Sequence, residues 1–194
     1  MSKQKLLSLL VVLVALLAAG AVKISVEPAP KEAAFTIRNL DEQIVLYAIY
    51  RGSYDKIGPA IGKLFALAGQ KAIRPAGPVA HAYLNNPKYV SSEHWLTEIR
   101  IPVAKDALKH AGSLGQFTDV KVLPPMQVAV ATKPPGQADP APIYQKLYRW
   151  IAAQGCVITD APSEIFVTNA MTGDYAKMKT EILVPVEKLP EPEP

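Results

Sequence analysis

The heptapeptide TEIRIPV at residues 97–103 returns 83 residues later as TEILVPV at residues 180–186. The same shift aligns residues 43–105 with residues 126–188 without a gap, and 12 of the 63 aligned pairs are identical. Chance would give roughly four identities at ordinary composition. The chain therefore carries a duplicated unit, and we expect each copy to fold in the same way.

Each copy predicts a strand, a helix and two further strands. A run rich in Val and Ile, or in small apolar residues, opens each copy, and apolar residues at helical spacing follow it. The predicted strands are 43–50, 79–84 and 96–103 in the first copy and 126–132, 163–168 and 179–186 in the second. The predicted helices run from Ile57 to a stop at Gly69 and from Pro142 to a stop at Gly155. A further strand, at residues 35–40 or 117–123, leads into each copy.

A β-α-β-β unit has one sheet face that its single helix leaves uncovered. Two such units would pair to share a core or to frame a groove, so the duplication predicts an α+β fold with a cleft. Hydrophobic residues make up 49% of the chain and charged residues 20%. About 150 residues remain for folding once an apolar N-terminal segment is set aside, which is enough for one domain with a sizeable core.

Charge and side-chain spacing argue against several classes of partner. The 21 basic and 17 acidic residues are spread along the chain. No basic run is dense enough to follow a phosphate backbone, so no nucleic-acid partner is predicted. His81, His94 and His110 do not form a ligand pattern, so neither a metal site nor another cofactor is predicted. The one cysteine, Cys156, excludes an intramolecular disulfide and is assigned no chemistry.

The N-terminus carries a membrane-targeting pattern. After two lysines, an apolar stretch of 17 residues runs from Leu6 to Val22, between the length of a signal-peptide core and that of a membrane span. Ala19-Gly20-Ala21 fits a cleavage site, whereas the residues that follow fit an uncleaved anchor. Residues 1–22 are therefore a signal peptide or a signal anchor, 23–33 a linker, 34–188 the folded domain and 189–194 a disordered tail. The basic residues before the segment place the domain outside the cytoplasm, membrane-tethered or exported.

Several short motifs recur in a fixed order along the chain. Residues 50–54 lead into a glycine-rich helix start, Gly77-Pro78 precedes a strand, Asn86-Pro87 follows it, and the heptapeptide at 97–103 comes next. These motifs resemble those of the GyrI-like family, the effector-binding domains of bacterial transcription activators. The resemblance covers most of residues 35–188.

This resemblance implies two β-α-β-β modules related by a pseudo-twofold axis, with antiparallel sheets, helices on one side and a ligand groove between the halves. Family members bind drugs or metabolites, inhibit gyrase, or in one branch hydrolyse cyclopropane-bearing compounds. The N-terminal segment is similar to that of the membrane-anchored GyrI-like subgroup. In the second copy, residues 133–136 and Gln137 depart from the pattern of residues 50–54, so we expect an asymmetric groove.

Two glutamates occupy the same place in the repeat. Alternation along residues 96–103 puts Glu98 and Arg100 on one strand face, whereas Glu181 shares its face with Leu183. A carboxylate in a partly dry aromatic groove would attract a lipophilic cation, or would serve as a general acid or base. Both residues could instead be solvated and share only ancestry. Because Glu181 has the more apolar neighbour, we expect it to matter more for a cationic ligand than Glu98.

Aromatic side chains supply candidates for the walls of the groove. Tyr54 lies at the first strand-helix junction, Tyr83 near the end of a strand, and Trp95 just before a closing strand. Tyr148 forms an i, i+4 pair with Tyr144 on the second predicted helix. Ordinary core packing is the alternative for each of them.

The function that the sequence favours is binding of a small amphipathic or cationic organic ligand by Glu181, Glu98 and the aromatic residues. A hydrolase that uses Glu181 is one alternative, although no second acid, histidine pair or metal set accompanies this glutamate. A protein-interaction adaptor is the other, with an unidentified partner on the sheet surface or the tail.

Overall fold

The computed structural model describes residues 35–137, 139–167 and 179–190. Its strands are β1 (Thr36–Leu40), β2 (Gln43–Arg51), β3 (Ala80–Tyr83), β4 (Leu96–Pro102), β5 (Thr118–Leu123), β6 (Met126–Lys133), β7 (Cys156–Ile158), β8 (Ser163–Phe166) and β9 (Thr180–Lys188), and its helices are α1 (Gly58–Gln70) and α2 (Ala141–Ala153). The α+β class and the order of elements in each copy are confirmed. The sequence did not predict β7.

The predicted N-terminal segment at residues 1–22, the linker and the last four residues of the chain lie outside the described residues. Within the part of the chain that the structure describes, no helix is both long enough and apolar enough to span a bilayer.

The strands form one antiparallel sheet in the order β1-β6-β9-β8-β3-β4-β2-β5, with β7 paired to β9. Residues 83 positions apart are repeat mates, and by this shift β1 corresponds to β5, β2 to β6, β3 to β8 and β4 to β9. When every strand is replaced by its repeat mate, the same strand order results, read in the opposite direction. A pseudo-twofold axis therefore passes between β3 and β8. The two copies share one continuous sheet. They are joined where β3 pairs with β8, through three residue pairs.

The leading strands are exchanged between the copies. β1 precedes the first copy in sequence but pairs with β6 of the second, and β5 precedes the second copy but pairs with β2 of the first. Val120 of β5 is buried in the core that α1 covers. The ring of Phe35, next to β1, lies 5.8 Å from that of Trp150 on α2. Each copy thus completes its core with a strand that belongs to the other in sequence.

Both helices cover the same face of the sheet. Ile99 of β4 packs in a buried cluster with α1, and Ile182 of β9 packs in another with α2. His81 pairs with Ile99 on one side and with Glu164 on the other. Glu164 in turn pairs with Ile182. Paired residues of an antiparallel sheet point to the same side, so all four lie on the side of the helices, which we call the helix face.

The two helices end in repeat-related turns that carry different residues. α1 ends at Gln70 rather than at the predicted stop, Gly69, and the left-handed residue beyond it is Ala72, with φ of 54°. The repeat mate of Ala72 is Gly155, with φ of 68°. The prediction of Gly69 as the stop is therefore wrong, because Gly69 is still helical and the left-handed residue that turns the chain is Ala72, three residues after Gly69. A residue with a Cβ is strained in this conformation, whereas glycine is not.

Ala72→Gly should raise the free energy of unfolding by about 0.5–1 kcal/mol, because the gain from relieved strain exceeds the added chain entropy of glycine. Gly155→Ala should lower it by about 1 kcal/mol, since a Cβ there meets no neighbouring atom and the added backbone strain exceeds the gain from the lower chain entropy of alanine. Chemical denaturation of the two variants measures both changes. Changes of the same sign would contradict the equivalence of the two turns.

Candidate functional site

Two unlike side chains meet at the pseudo-twofold axis. His81 of β3 and Glu164 of β8 are repeat mates and stand directly opposite each other. Both are buried, with exposed fractions of 4% and 5%. The alternation along β8 puts Phe166 on the same face as Glu164, and its ring packs edge-on against His81 with centroids 4.6 Å apart. Burial lowers the pKa of His81 to about 4, so its imidazole is neutral near pH 7.

Glu164 is surrounded by neutral hydrogen-bond donors. The hydroxyl of Tyr144 on α2 donates to Glu164 Oε1 at 3.1 Å, and Tyr83 is near enough to influence the pKa of this carboxyl. None of the ion pairs among the described residues includes Glu164. Burial raises the pKa of Glu164, while the hydroxyls of Tyr144 and Tyr83 and the charge of Lys133 act in the opposite direction.

The tyrosines near Glu164 keep their protons. Burial and the negative charge of Glu164 raise the pKa of Tyr54 to about 12. The same two causes raise the pKa values of Tyr83 and Tyr144. Their hydroxyls are therefore donors at physiological pH, and a carboxylate held by neutral donors away from water attracts positive charge.

Three of the four predicted wall residues lie together. The ring centroid of Tyr54 is 5.1 Å from that of Tyr83 and 4.4 Å from that of Trp95. Trp95 Nε1 donates to a backbone carbonyl at 3.1 Å, which fixes the indole. The fourth, Tyr148, lies on α2 with its ring 5.8 Å from that of Tyr144, and it is 38% exposed. We call Glu164, His81, Tyr54, Tyr83, Trp95 and Tyr144 the Glu164 cluster.

Two further polar residues lie on the helix face. Thr97 pairs with Tyr83 and is fully buried, and its Oγ1 has no hydrogen-bond partner among the described residues. Lys133 is 6% exposed and occupies the repeat position of Tyr50. The departure of residues 133–136 from the first copy therefore brings a buried lysine to the second half, in agreement with the expected asymmetry.

Glu98 and Glu181 lie on the other face of the sheet. Glu98 pairs with Ala82, which is next to the helix-face residue Tyr83. Glu181 pairs with Ile165, which is next to Glu164. Successive residues of a strand point to opposite faces, so the sheet separates the two predicted glutamates from the aromatic rings. The structure does not bring Glu98 and Glu181 together with Tyr54, Tyr83 and Trp95.

Each of these glutamates has a basic partner. Arg100 Nε donates to Glu98 Oε1 at 2.6 Å, and Lys121 Nζ donates to Oε2 at 2.8 Å. Arg38 donates two hydrogen bonds to Glu181, at 3.0 and 3.2 Å. Arg100, the neighbour of Glu98 along its strand, is thus its ion-pair partner, and Glu181, which was expected to have the more apolar surroundings, is paired with Arg38. Arg38 lies on the exchanged strand β1. The residues next to Glu181 along β9 therefore could not predict this partner.

The basic partners are themselves repeat mates. Lys121 of β5 and Arg38 of β1 are 83 residues apart. Lys121 leads the second copy but contacts Glu98 of the first, and Arg38 leads the first copy but contacts Glu181 of the second, in each case across one strand. The two ion pairs therefore hold the exchanged strands in equivalent places. This structural role accounts for the identity of Glu98 and Glu181 in the repeat.

Glu164 is the residue that the sequence reasoning missed. It stands at the repeat position of His81, in a predicted strand that otherwise carries apolar residues on this face. A polar residue in the same place of both copies, flanked by apolar ones, was the available signal. Among the described residues, no group of three or more His, Cys, Asp or Glu side chains could hold a metal ion.

A comparison with protein families gives a match over part of the chain. Residues 17–104 match the sequence profile of the GyrI-like small molecule binding domain. This range includes all but the last residue of the first copy, with Tyr54, Tyr83 and Trp95, and ends before the second. No curated protein sequence matches the chain at a significant level.

Solved structures share the fold at low sequence identity. The EcmrR C-terminal domain superposes with a TM-score of 0.65 at 17% identity, covering 82% of this chain and 100% of that domain. EcmrR in its complex with DNA gives 0.64 at 19% identity, covering 81% of this chain and 58% of that one. A hydrolase encoded by lin2189 from Listeria innocua gives 0.60 at 14%, covering 82% and 94%. The chain thus spans little more than half of the EcmrR chain, and these likenesses show the fold alone.

Replacing Glu164 by glutamine should change how stability depends on pH. Because the pKa of Glu164 is raised in the folded protein above its ordinary 4.5, ionisation destabilises the fold, and this penalty grows as the pH rises from 4.5 through the folded pKa. Glutamine carries no such penalty. The unfolding free energy of Glu164→Gln minus that of the wild type should therefore increase from pH 4 to pH 7.

Urea denaturation at the two pH values measures this difference. The matched control is Glu181→Gln, which makes the same chemical change on the other face of the sheet, at a carboxylate paired with Arg38. His81 stands opposite Glu164 and titrates in the same pH range, so the comparison is repeated in a His81→Phe background. A flat or falling difference for Glu164→Gln would contradict the raised pKa.

Proposed function

We propose that this protein binds a small organic ligand that has an apolar body and a positively charged group, with the charge at Glu164. The single observation that carries this proposal is the buried carboxylate of Glu164, which accepts a hydrogen bond from Tyr144 and has no ion-pair partner among the described residues. The match of residues 17–104 to the GyrI-like small molecule binding domain supports it.

The chemistry of the Glu164 cluster suits such a ligand. A carboxylate away from water is costly unless it is paired, and a ligand cation supplies the missing partner. The rings of Tyr54 and Trp95 present aromatic faces, on which a cation or an aromatic group of the ligand can stack. Thr97 adds a buried hydroxyl without a described partner on the same face. Small-molecule sites combine these elements, an apolar lining and a few converging polar groups.

Hydrolysis at Glu164 is a second candidate. The raised pKa of this carboxyl suits a general acid or base, and the Listeria innocua hydrolase shares the fold. Binding is favoured because Tyr144 already donates a hydrogen bond to the carboxylate, and His81, opposite it, is buried and neutral. Chromatography of a ligand after incubation separates the two functions, because only a hydrolase returns a changed compound.

Glu164→Gln should weaken binding of cationic ligands at least tenfold, about 1.4 kcal/mol, because the glutamine keeps the shape and loses the charge. The Trp150→Phe background leaves Trp95 as the one tryptophan, so saturable quenching reports binding beside Tyr54. Rhodamine 6G and phenethylamine are suitable probes, with calorimetry for confirmation.

The controls are Glu98→Gln and Glu181→Gln, which make the same change on the other face of the sheet and should alter affinity by less than about twofold. A larger loss at either control than at Glu164 would place the ligand on the other face. Absence of saturable binding both by these two cations and by their counterparts with an added carboxylate, phenylalanine and the free acid of rhodamine 6G, would overturn the proposal.

We also propose that the domain acts outside the cytoplasm, tethered by or released from the segment at residues 1–22. The apolar stretch after two lysines supports this. Mass spectrometry of the protein from the membrane fraction and from the exported fraction decides between the two fates. A mature N-terminus at Val22 means cleavage and export, whereas an intact N-terminus in the membrane fraction means an anchor. An intact, fully cytosolic protein would contradict both.

A further inference from the structure

Lys133 is a buried cation whose donors are largely unused. The residue is 6% exposed. Its ammonium makes one hydrogen bond among the described residues, a long one of 3.5 Å to the backbone carbonyl of Gln137. A lysine ammonium has three N–H donors, and burying a charge is expensive unless it is paired. Nothing among the described residues supplies the partner that this burial requires.

Lys133 belongs to the same face as the Glu164 cluster. It pairs with Thr180 of β9, and Thr180 pairs with Phe166, which shares its strand face with Glu164. The positive charge is close enough to act on the carboxylate. The two charges nevertheless do not form an ion pair within 4.0 Å. A separated positive and negative group therefore share one buried region.

A simple counter-ion role does not account for this arrangement. A buried ion pair compensates for its desolvation only at contact distance and with good hydrogen-bond geometry. Lys133 instead bonds to a loop carbonyl, and Glu164 bonds to Tyr144. Each charge retains capacity for a partner of the opposite sign, and both partners must come from outside the described residues.

We propose that Lys133 makes this site select zwitterionic ligands, with a positive group at Glu164 and an anionic group at Lys133. The inference rests on the proposed function and names its ligand class. A ligand that is only a cation leaves Lys133 unpaired and is repelled by it, and a ligand that is only an anion meets the same obstacle at Glu164. The first copy has Tyr50 at the position of Lys133, so the selectivity belongs to the second half alone.

Matched ligand pairs test this in the full-length chain. Phenethylamine is compared with phenylalanine, and rhodamine 6G with its free acid. In each pair the first compound is a cation, and the second is a zwitterion because it also has a carboxylate. In the wild type, the zwitterion should bind at least tenfold more tightly than the cation. Lys133→Met should strengthen binding of the cation and weaken that of the zwitterion, so that the preference reverses.

Two further variants serve as controls. Lys133→Arg keeps the charge and should keep the preference for the zwitterion, and it also decides the matter if Lys133→Met does not fold. Lys146→Met makes the same change at an exposed lysine of α2 and should leave both affinities unchanged. Equal or tighter binding of the cation by the wild type, or no effect of Lys133→Met, overturns the zwitterion inference while the proposed function stands. Failure of all four compounds to bind overturns both.

A titration without ligand tests the interaction between the two residues. The charge of Lys133 lowers the pKa of Glu164, so the carboxyl carbon of Glu164 followed by NMR should titrate at higher pH in Lys133→Met than in the wild type. In Lys146→Met its titration should be unchanged. An unchanged titration in Lys133→Met would show that the two groups do not share a region, which would overturn the inference.

Discussion

The pairing of β3 with β8 is the constraint on which the rest of the molecule depends. Three residue pairs join the two copies into one sheet, and the central pair places His81 against Glu164 at the pseudo-twofold axis. Because these residues are on the helix face, the side chains that α1 and α2 do not cover meet there. The exchange of β1 and β5 links the two copies a second time, at the outer edges of the sheet, since each leading strand pairs only with the opposite copy.

Buried charge gives this junction its chemistry. Glu164 and Lys133 are both nearly inaccessible to water, yet neither has an ion-pair partner among the described residues. Such groups lower the stability of a fold, and proteins keep them where a function compensates. On the other face, Glu98 and Glu181 show the opposite arrangement, because Arg100, Lys121 and Arg38 satisfy them within the fold.

Duplication followed by divergence explains why the helix face is asymmetric. The first copy contributes Tyr54, Tyr83 and Trp95, and the second contributes Glu164 and Tyr144. At equivalent positions of the repeat, the first copy has His81 and Tyr50, whereas the second has Glu164 and Lys133. The repeat therefore supplies a symmetric backbone, whereas the differences between mates supply an aromatic side and a charged side.

The sequence by itself determined the duplication, the β-α-β-β order, the α+β class and three of the aromatic residues that lie together, because periodicity and repetition are local properties of the chain. It could not place the carboxylate. Strand alternation predicted correctly that Glu98 and Glu181 lie opposite Thr97 and Thr180, but not which of the two faces the helices cover. The tertiary structure decided that, along with the exchange of β1, which brings Arg38 to Glu181 from 143 residues away. Contacts of this kind depend on strand order, and strand order is fixed by long-range pairing rather than by local pattern.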